Sequence, residues 1–433
     1  MLRFPRASAP IVVWSIVALT LTASAQDWPH WRGPSRNSTT TEVSGWDGSR
    51  WLGPKPAWSK NAGIGSTSPI VAGGKLYVLG WRDNKDIVQC LDAATGEKLW
   101  SQSYACPRYG RKATGDEGLY AGPSSTPEFD PQTQHLFTLS TDGHLHCWDT
   151  TRGGERVWGL NLYDEFDAPR RPKFGRSGLR DYGYTSSPLV HGSWLLVEVG
   201  DDTGSLVAFD KATGKPLWKS QAKGPAGHNG GPVSITVEGV PCVALLTCQR
   251  LVVIRLDKGH EGQTVGEFPW ATDFANNIAT PTVAGNEVLI TSDYNHGAIC
   301  KLRASLAGLE KVWEQPYASL VGSPVVHKGS VYIPCGKLRC LDLATGKLRW
   351  EGGRWGDDGS CLMAADGRLV VWGRGSLGLC ESAEHSPVAY RELARVDNLS
   401  GTECWPHVVL AAGRVYCKDR AGQLYCFGSP LAP

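Results

Sequence analysis

Ile87-Val88-Gln89-Cys90-Leu91-Asp92-Ala93-Ala94-Thr95-Gly96-Glu97-Lys98-Leu99-Trp100 decides the fold. A short apolar run ends in Asp-x-x-Thr-Gly and then a tryptophan, and the same ending returns from Asp210 to Trp218 and from Asp342 to Trp350. Asp can accept hydrogen bonds from backbone amides two residues on, and Gly supplies a positive φ without steric cost. Together they turn the chain between two strands. Tryptophans then recur at Trp58, Trp100, Trp158, Trp218, Trp270, Trp313 and Trp350, each offering a flat apolar face and one N–H to a neighbouring unit. A period of roughly 40–60 residues made of short strands is the mark of a radial β array.

Working outward, unit starts fall at Ser68-Pro69, Thr126-Pro127, Ser187-Pro188, Gly231-Pro232, Thr280-Pro281, Ser323-Pro324, Ser360-Cys361 and Trp405-Pro406. Proline suits a strand's first residue, which needs no ladder donor. Alternating runs such as Leu195-Leu196-Val197-Glu198-Val199 and Ser330-Val331-Tyr332-Ile333 follow and read as strands. The last unit ends without a closing tryptophan, whereas Pro56-Ala57-Trp58-Ser59 is a closing strand with no unit before it. The pattern predicts an all-β, eight-bladed β-propeller of four-stranded blades, with that N-terminal strand completing the last blade. Closure of this kind removes an exposed sheet edge. In unit seven, Tyr390 is expected to stand in for the missing tryptophan. Each unit packs only on its neighbours, so 433 residues need not divide into several cores.

The first residues read as an export signal. Arg3 and Arg6 precede an apolar run over 11–21, and Ala23-Ser24-Ala25 supplies small residues for cleavage before Gln26. An uncleaved anchor is the alternative, although the run is short for a membrane span. The expected division is a signal peptide over 1–25, an N-terminal extension over 26–53 and the propeller over 54–430, in a periplasmic or extracellular protein. A formal net charge of +2 gives no electrostatic case for nucleic acid. Thirteen cysteines in an exported chain would ordinarily suggest disulfides. Repeat alignment points to packing instead: Cys90, Cys147, Cys340 and Cys426 share one register position, Ala208 fills it in another unit, and Cys300 is expected to join them. A site accepting Cys or Ala wants a small buried side chain. One disulfide between Cys417 and Cys426 stays open.

The Asp-x-x-Thr-Gly-x-x-x-Trp endings resemble the docking repeats of the PQQ-like propeller superfamily, over nearly the whole chain after the signal segment. Trp28-Pro29-His30-Trp31-Arg32-Gly33-Pro34 is similar to the opening of exported members from planctomycete-type bacteria. The resemblance implies one of two occupations: quinoprotein dehydrogenases hold PQQ and calcium over the channel, and BamB-type proteins use the blades as a binding surface. The vicinal cysteine pair of alcohol-oxidising members is missing, and Cys335-Gly336-Lys337-Leu338-Arg339-Cys340 lacks the spacing and histidine of a haem site. Candidate base and calcium ligands are Asp181, Asn276, Asn277, Asp357, Asp358 and Glu403, none of them in a motif alignable with the family's.

Two links between units are long, and links of this type lie on the face that superfamily relatives use for ligands. One contains Arg108, Tyr109 and Arg111; the other contains Arg176, Arg180, Tyr182 and Tyr184. Long loops on a rigid scaffold commonly carry binding, and arginine with tyrosine is the composition of interaction hot spots. A merely solvated loop with internal salt bridges is the plainer reading. His144-Leu145-His146 reads as exposed strand surface rather than a metal site, because a third ligand is lacking. Gly227-His228-Asn229-Gly230-Gly231 reads as a flexible link. The expectation is a non-enzymatic propeller binding a protein or other envelope component, with no cofactor. The alternative is a PQQ- and calcium-dependent alcohol or sugar dehydrogenase.

Overall fold

In the computed structural model, residues 26–107, 118–168, 182–273 and 275–428 are described. They form eight antiparallel sheets around one axis, as the repeat predicts. Blade one shows the pattern: Ile70–Ala72 innermost, then Lys75–Arg82, Lys85–Asp92 and Lys98–Ala105 at the rim. In blade six, the single strand Ser330–Asp342 supplies both middle positions, pairing first with Val325–His327 and then with Leu348–Gly356. Blade eight joins the two ends of the chain. Trp58–Asn61 pairs with Gln423–Gly428, outside Arg414–Lys418 and Val409–Ala411, and so closes the ring.

Blade-to-blade contact follows one rule at four of the seams. The rim tryptophan of one blade lies on the glycine turn of the next, Trp58 on Gly96, Trp100 on Gly154, Trp158 on Gly214 and Trp313 on Gly346. These glycines have φ between 70 and 74°, and a Cβ would come within 2.8 Å of the ring. Indole N–H groups donate across the same seam: Trp58 to Ala93 O at 3.3 Å, Trp158 to Lys211 O at 3.1 Å and Trp313 to Leu343 O at 3.1 Å. Burial at such a seam contributes about 2–3 kcal/mol per ring.

Opposite the tryptophan sits a small residue. Cys90 faces Trp100, Cys147 faces Trp158, Ala208 faces Trp218, Cys340 faces Trp350 and Cys426 faces Trp58. Cys300 does not join them. Lys301 is the residue that faces Trp313, and Cys300 lies one position away on the other face. All thirteen cysteines are buried and free. Cys417 pairs with Tyr425 and Cys426 with Tyr416, so the two cysteines project to opposite faces and form no disulfide. Two aromatic expectations also fail. Trp270 follows the rim strand Thr264–Pro269 and donates inward to Ser292 Oγ at 3.0 Å, leaving the seam position to Gly266. Tyr390 precedes its strand and packs back on Trp350; Ala394 holds the seam position of blade seven.

The extension over 26–53 is part of the ring, because its first half fills the axis. Trp28 exchanges backbone hydrogen bonds with Val71 at 2.7 and 2.9 Å. Arg32 is fully buried and donates to Ser38 Oγ, Pro281 O, Thr282 Oγ1 and Pro324 O, so four acceptors offset the lost hydration of its charge. Arg36 and His30 converge on Glu128. Burial raises the Glu128 carboxyl, but Arg36 and His30 outweigh it and hold the pKa at about 2. Ser38 Oγ lies 3.0 Å from Nε2 of His407, which packs beside Trp28 and Trp31. Burial, with Arg32 nearby, lowers the His407 pKa to about 4.

Three outcomes test this architecture. Trp58→Ala should cost about 3–5 kcal/mol by urea titration, since it empties the closing seam, and should promote aggregation through the loosened edge. Thiol counting should find no reactive cysteine in the native protein and all thirteen after unfolding; burial, outweighing Lys75 and Tyr77, raises Cys90 to about 11. A folded pKa for His407 below its unfolded value of about 6.5 means that the unfolded state takes up the proton first. Its contribution is therefore complete above pH 6.5 and is lost as pH falls towards about 4. Acid titration of stability should show about 3 kcal/mol less loss in that window for His407→Gln than for the parent.

Candidate functional site

Chains leading into the innermost strands all pass the same end of the axis. The residue before the strand ties each lead-in to a neighbour: Ser68 N–H donates to Thr126 Oγ1, Thr126 N–H to Ser187 Oγ, and Thr280 N–H to Ser323 Oγ, each at 3.0 Å. His407 N–H donates to Ser68 Oγ at 2.6 Å. The hydroxyls in the Ser-Pro and Thr-Pro starts thus link blades, beyond the strand-start role of the prolines. Inside this collar is a cavity with about 710 Å³ of empty space, part of it open to solvent. Trp31 is among its lining residues and donates to Thr280 Oγ1 at 2.8 Å, so the axial segment gives the cup its floor.

One wall joins the segment expected to be a flexible link to two of the candidate calcium ligands, Asn276 and Asn277. His228–Asn229 pairs in parallel with Asn276–Asn277, a two-stranded patch beside blades four and five. Tyr182 N–H donates to His228 Nε2 at 3.1 Å, which leaves Nδ1–H to donate to Asn276 Oδ1. These two partners fix the tautomer and orientation of the ring. Asn229 is held by the buried carboxylate of Glu198 through its Nδ2. The run Gly227-His228-Asn229-Gly230-Gly231 is therefore a wall of the cup rather than a loose link. Its signal in the sequence was a His-Asn pair flanked by glycines at a strand start, matched by Asn276-Asn277.

The opposite rim is aromatic and cationic. Arg420 places its guanidinium 4.8 Å from the Trp405 ring and 5.0 Å from the Tyr120 ring, and donates to Ala121 O. Tyr120 also approaches Tyr182, at 6.0 Å between ring centres. Tyr120 holds φ at 56° and stays 37% exposed beside Leu119 at 49%, so the rim presents apolar surface on a constrained backbone. Non-glycine residues seldom adopt that region.

Of the expected binding residues, Tyr182 lines the cup. Tyr184 is buried, donates to Val199 O and packs on Tyr163, so it braces the lead-in from below. Arg108, Tyr109, Arg111, Arg176 and Arg180 lie outside the described residues, as does Asp181. His146 corrects an expectation: it is buried against Tyr104 and Trp148, and burial lowers its pKa to about 3.

The described residues do not suit calcium beside PQQ at the cup. Asn276 lines the cup, but Asn277 has its amide committed to Thr247 O, Trp270 O and Ser292 Oγ. Asp358 and Glu403 line a separate groove with Arg374, and Asp358 accepts the Cys404 N–H. Among the described residues no carboxylate lines the cup, and no group of three or more His, Cys, Asp or Glu side chains is placed to hold a metal. A hard divalent cation needs several oxygen donors in one place.

Likeness to known structures extends over the ring. BamB from Moraxella catarrhalis superposes with a TM-score of 0.60 at 13% identity, covering 86% of this chain and 99% of that one. The quinohemoprotein alcohol dehydrogenase from Comamonas testosteroni gives 0.60 at 14% identity, covering 94% and 82%. The computationally designed Ika8 protein gives 0.54 at 11% identity, covering 85% and 98%. At these identities the likeness is one of fold. No curated protein matches the chain. Residues 84–352, more than half of the sequence, match the PQQ-repeat family model described as outer membrane protein assembly factor BamB, and the chain belongs to that family.

Proposed function

We propose that this chain is an exported, non-enzymatic propeller that binds a protein or another cell-envelope component through the face around the cup. The observation that carries this reading is the rim itself: Tyr120, Trp405 and Arg420 stacked together beside the aromatic and amide lining of the cup. Tyr, Trp and Arg dominate the energetics of protein interfaces, and here they stand on a scaffold that restricts their motion. Arg108, Tyr109, Arg111, Arg176 and Arg180 belong to the two links that lead into blades two and three, and in this reading they extend the same surface. Membership of a BamB-described family agrees with a binding occupation. Removal of residues 1–25 would release the protein into the periplasm or beyond, and no helix among the described residues is long and apolar enough to cross a membrane. No nucleic acid is expected as a partner, given a formal charge of +2.

Two sets of substitutions test it. Tyr120→Ala and a combined Arg108→Ala, Arg111→Ala, Arg176→Ala, Arg180→Ala chain should each keep stability within about 1 kcal/mol of the parent. Each should cut recovery of the cross-linked envelope partner at least about tenfold, as loss of a hot-spot contact does. Leu217→Ala, at an exposed rim position far from the cup, should leave recovery unchanged. Undiminished recovery with both cup-face variants would move the binding surface elsewhere. Dye-linked alcohol or sugar oxidation on adding PQQ and calcium would replace this reading with the dehydrogenase one.

A further inference from the structure

Glu42 is a buried carboxyl group that the described fold leaves without a counter-ion. Its side chain is buried at 6% exposure; Oε1 accepts the Ala412 N–H at 2.6 Å and Oε2 the Gly413 N–H at 2.8 Å. Those amides form the turn between Val409–Ala411 and Arg414–Lys418 of blade eight. Ala412 holds φ at 51°, a region costly for a residue with a Cβ. The carboxylate steadies that turn. Among the described residues, however, Glu42 forms no ion pair, whereas buried carboxylates are ordinarily matched by a cation.

The remaining donor at Oε1 is the backbone nitrogen of Gln26, at 2.6 Å. Gln26 is the residue that directly follows Ala23-Ser24-Ala25. We infer that cleavage before Gln26 converts this nitrogen into an α-ammonium that completes the Glu42 site and latches the axial segment to blade eight. This rests on residues 1–25 being a cleaved signal. The Gln26 side chain is held as well: Oε1 accepts from Thr40 Oγ1 and Thr41 N at 2.7 Å and from Thr41 Oγ1 at 2.9 Å. A free N-terminal glutamine cyclises when its neutral amine attacks its own Cδ: an N–Cδ bond forms, Cδ–Nε2 breaks and ammonia leaves. Pairing with a carboxylate keeps the nitrogen protonated and without a lone pair to attack. The latched terminus therefore stays an open glutamine.

Intact-mass measurement of the chain recovered from the envelope should give Gln26 as its first residue, uncyclised. Any other first residue overturns the latch together with the cleavage reading. The latch itself is tested with four chains, beginning at Gln26 or with a glycine–serine pair placed before it, each with Glu42 or with Glu42→Gln. The added pair should lower Tm by a few degrees with Glu42 and have no effect with Glu42→Gln, the signature of two coupled groups. Equal melting of the two Glu42 chains overturns the latch while the cleavage reading stands. Should Glu42→Gln fail to fold, labelling of the α-amine decides. The Gln26 chain should react more slowly than the extended chain when folded, with the gap closing in denaturant; equal folded rates overturn the proposal.

Discussion

A tryptophan ring can lie flat on the turn of the next blade only where that turn carries no side chain. This contact sets the angle between blades. At Gly96, Gly154, Gly214 and Gly346 the backbone has positive φ and the ring occupies the space of a Cβ. Two demands fall on one atom, and only glycine meets both. Behind the ring, the facing strand offers Cys or Ala in blades one, two, three, six and eight, and Lys301 in blade five. A register shift follows this position in the third strand of blades one, two, three and six. The shift turns the next residue and lets the strand twist into the seam. The contact recurs at four of the eight seams, and the closing one, Trp58 on Gly96, is among them.

Fold was legible because that contact leaves a local trace: Asp, Thr, Gly and Trp at fixed spacing within one hairpin. Errors arose where the trace was read without its register. Cys300 and Trp270 have the right residue types, each one or more positions from the seam, and a single-residue slip sends a side chain to the other face. Tyr390 is the right kind of ring on the wrong side of its strand. The cup was harder to read, for a different reason. Trp31 meets Thr280 across a sequence separation of 249, and Ser38 meets His407 across 369. No periodicity announces such contacts. His228 and Asn229 were passed over because glycines around them suggested looseness, whereas the patch they form with Asn276 and Asn277 is built on backbone pairing.

A partner seated at the cup would meet seven of the eight blades at once. The cup's wall takes residues from lead-ins all around the ring, and its floor is a segment from outside the repeat. A ligand face assembled in this way is rigid because its parts are braced through the axis, by Arg32 to blades five and six and by Arg36 to blade two. Preorganised surfaces lose less conformational freedom on binding than loops that must order first. The aromatic rim needs that support. Tyr120 holds a costly backbone angle, and the stacking of Arg420 and Trp405 beside it accounts for its persistence.

Ring closure also dictates when the molecule can exist. Trp58 finds its strand partner at Cys426, and the axial residues find theirs at Pro281, Pro324, Met363 and His407. A chain delivered from its N-terminus presents these segments first and their partners last. Some contacts of the axial segment form early, at Val71 and Glu128, but those with blades five to eight wait for most of the chain, and long-range pairing of this kind is slow to form. Individual blades can collapse as they emerge, but the seam between first and last stays open until the final hairpin arrives. Time, as much as energy, is therefore written into the closing strand: it keeps the ring open until the last hairpin has been made.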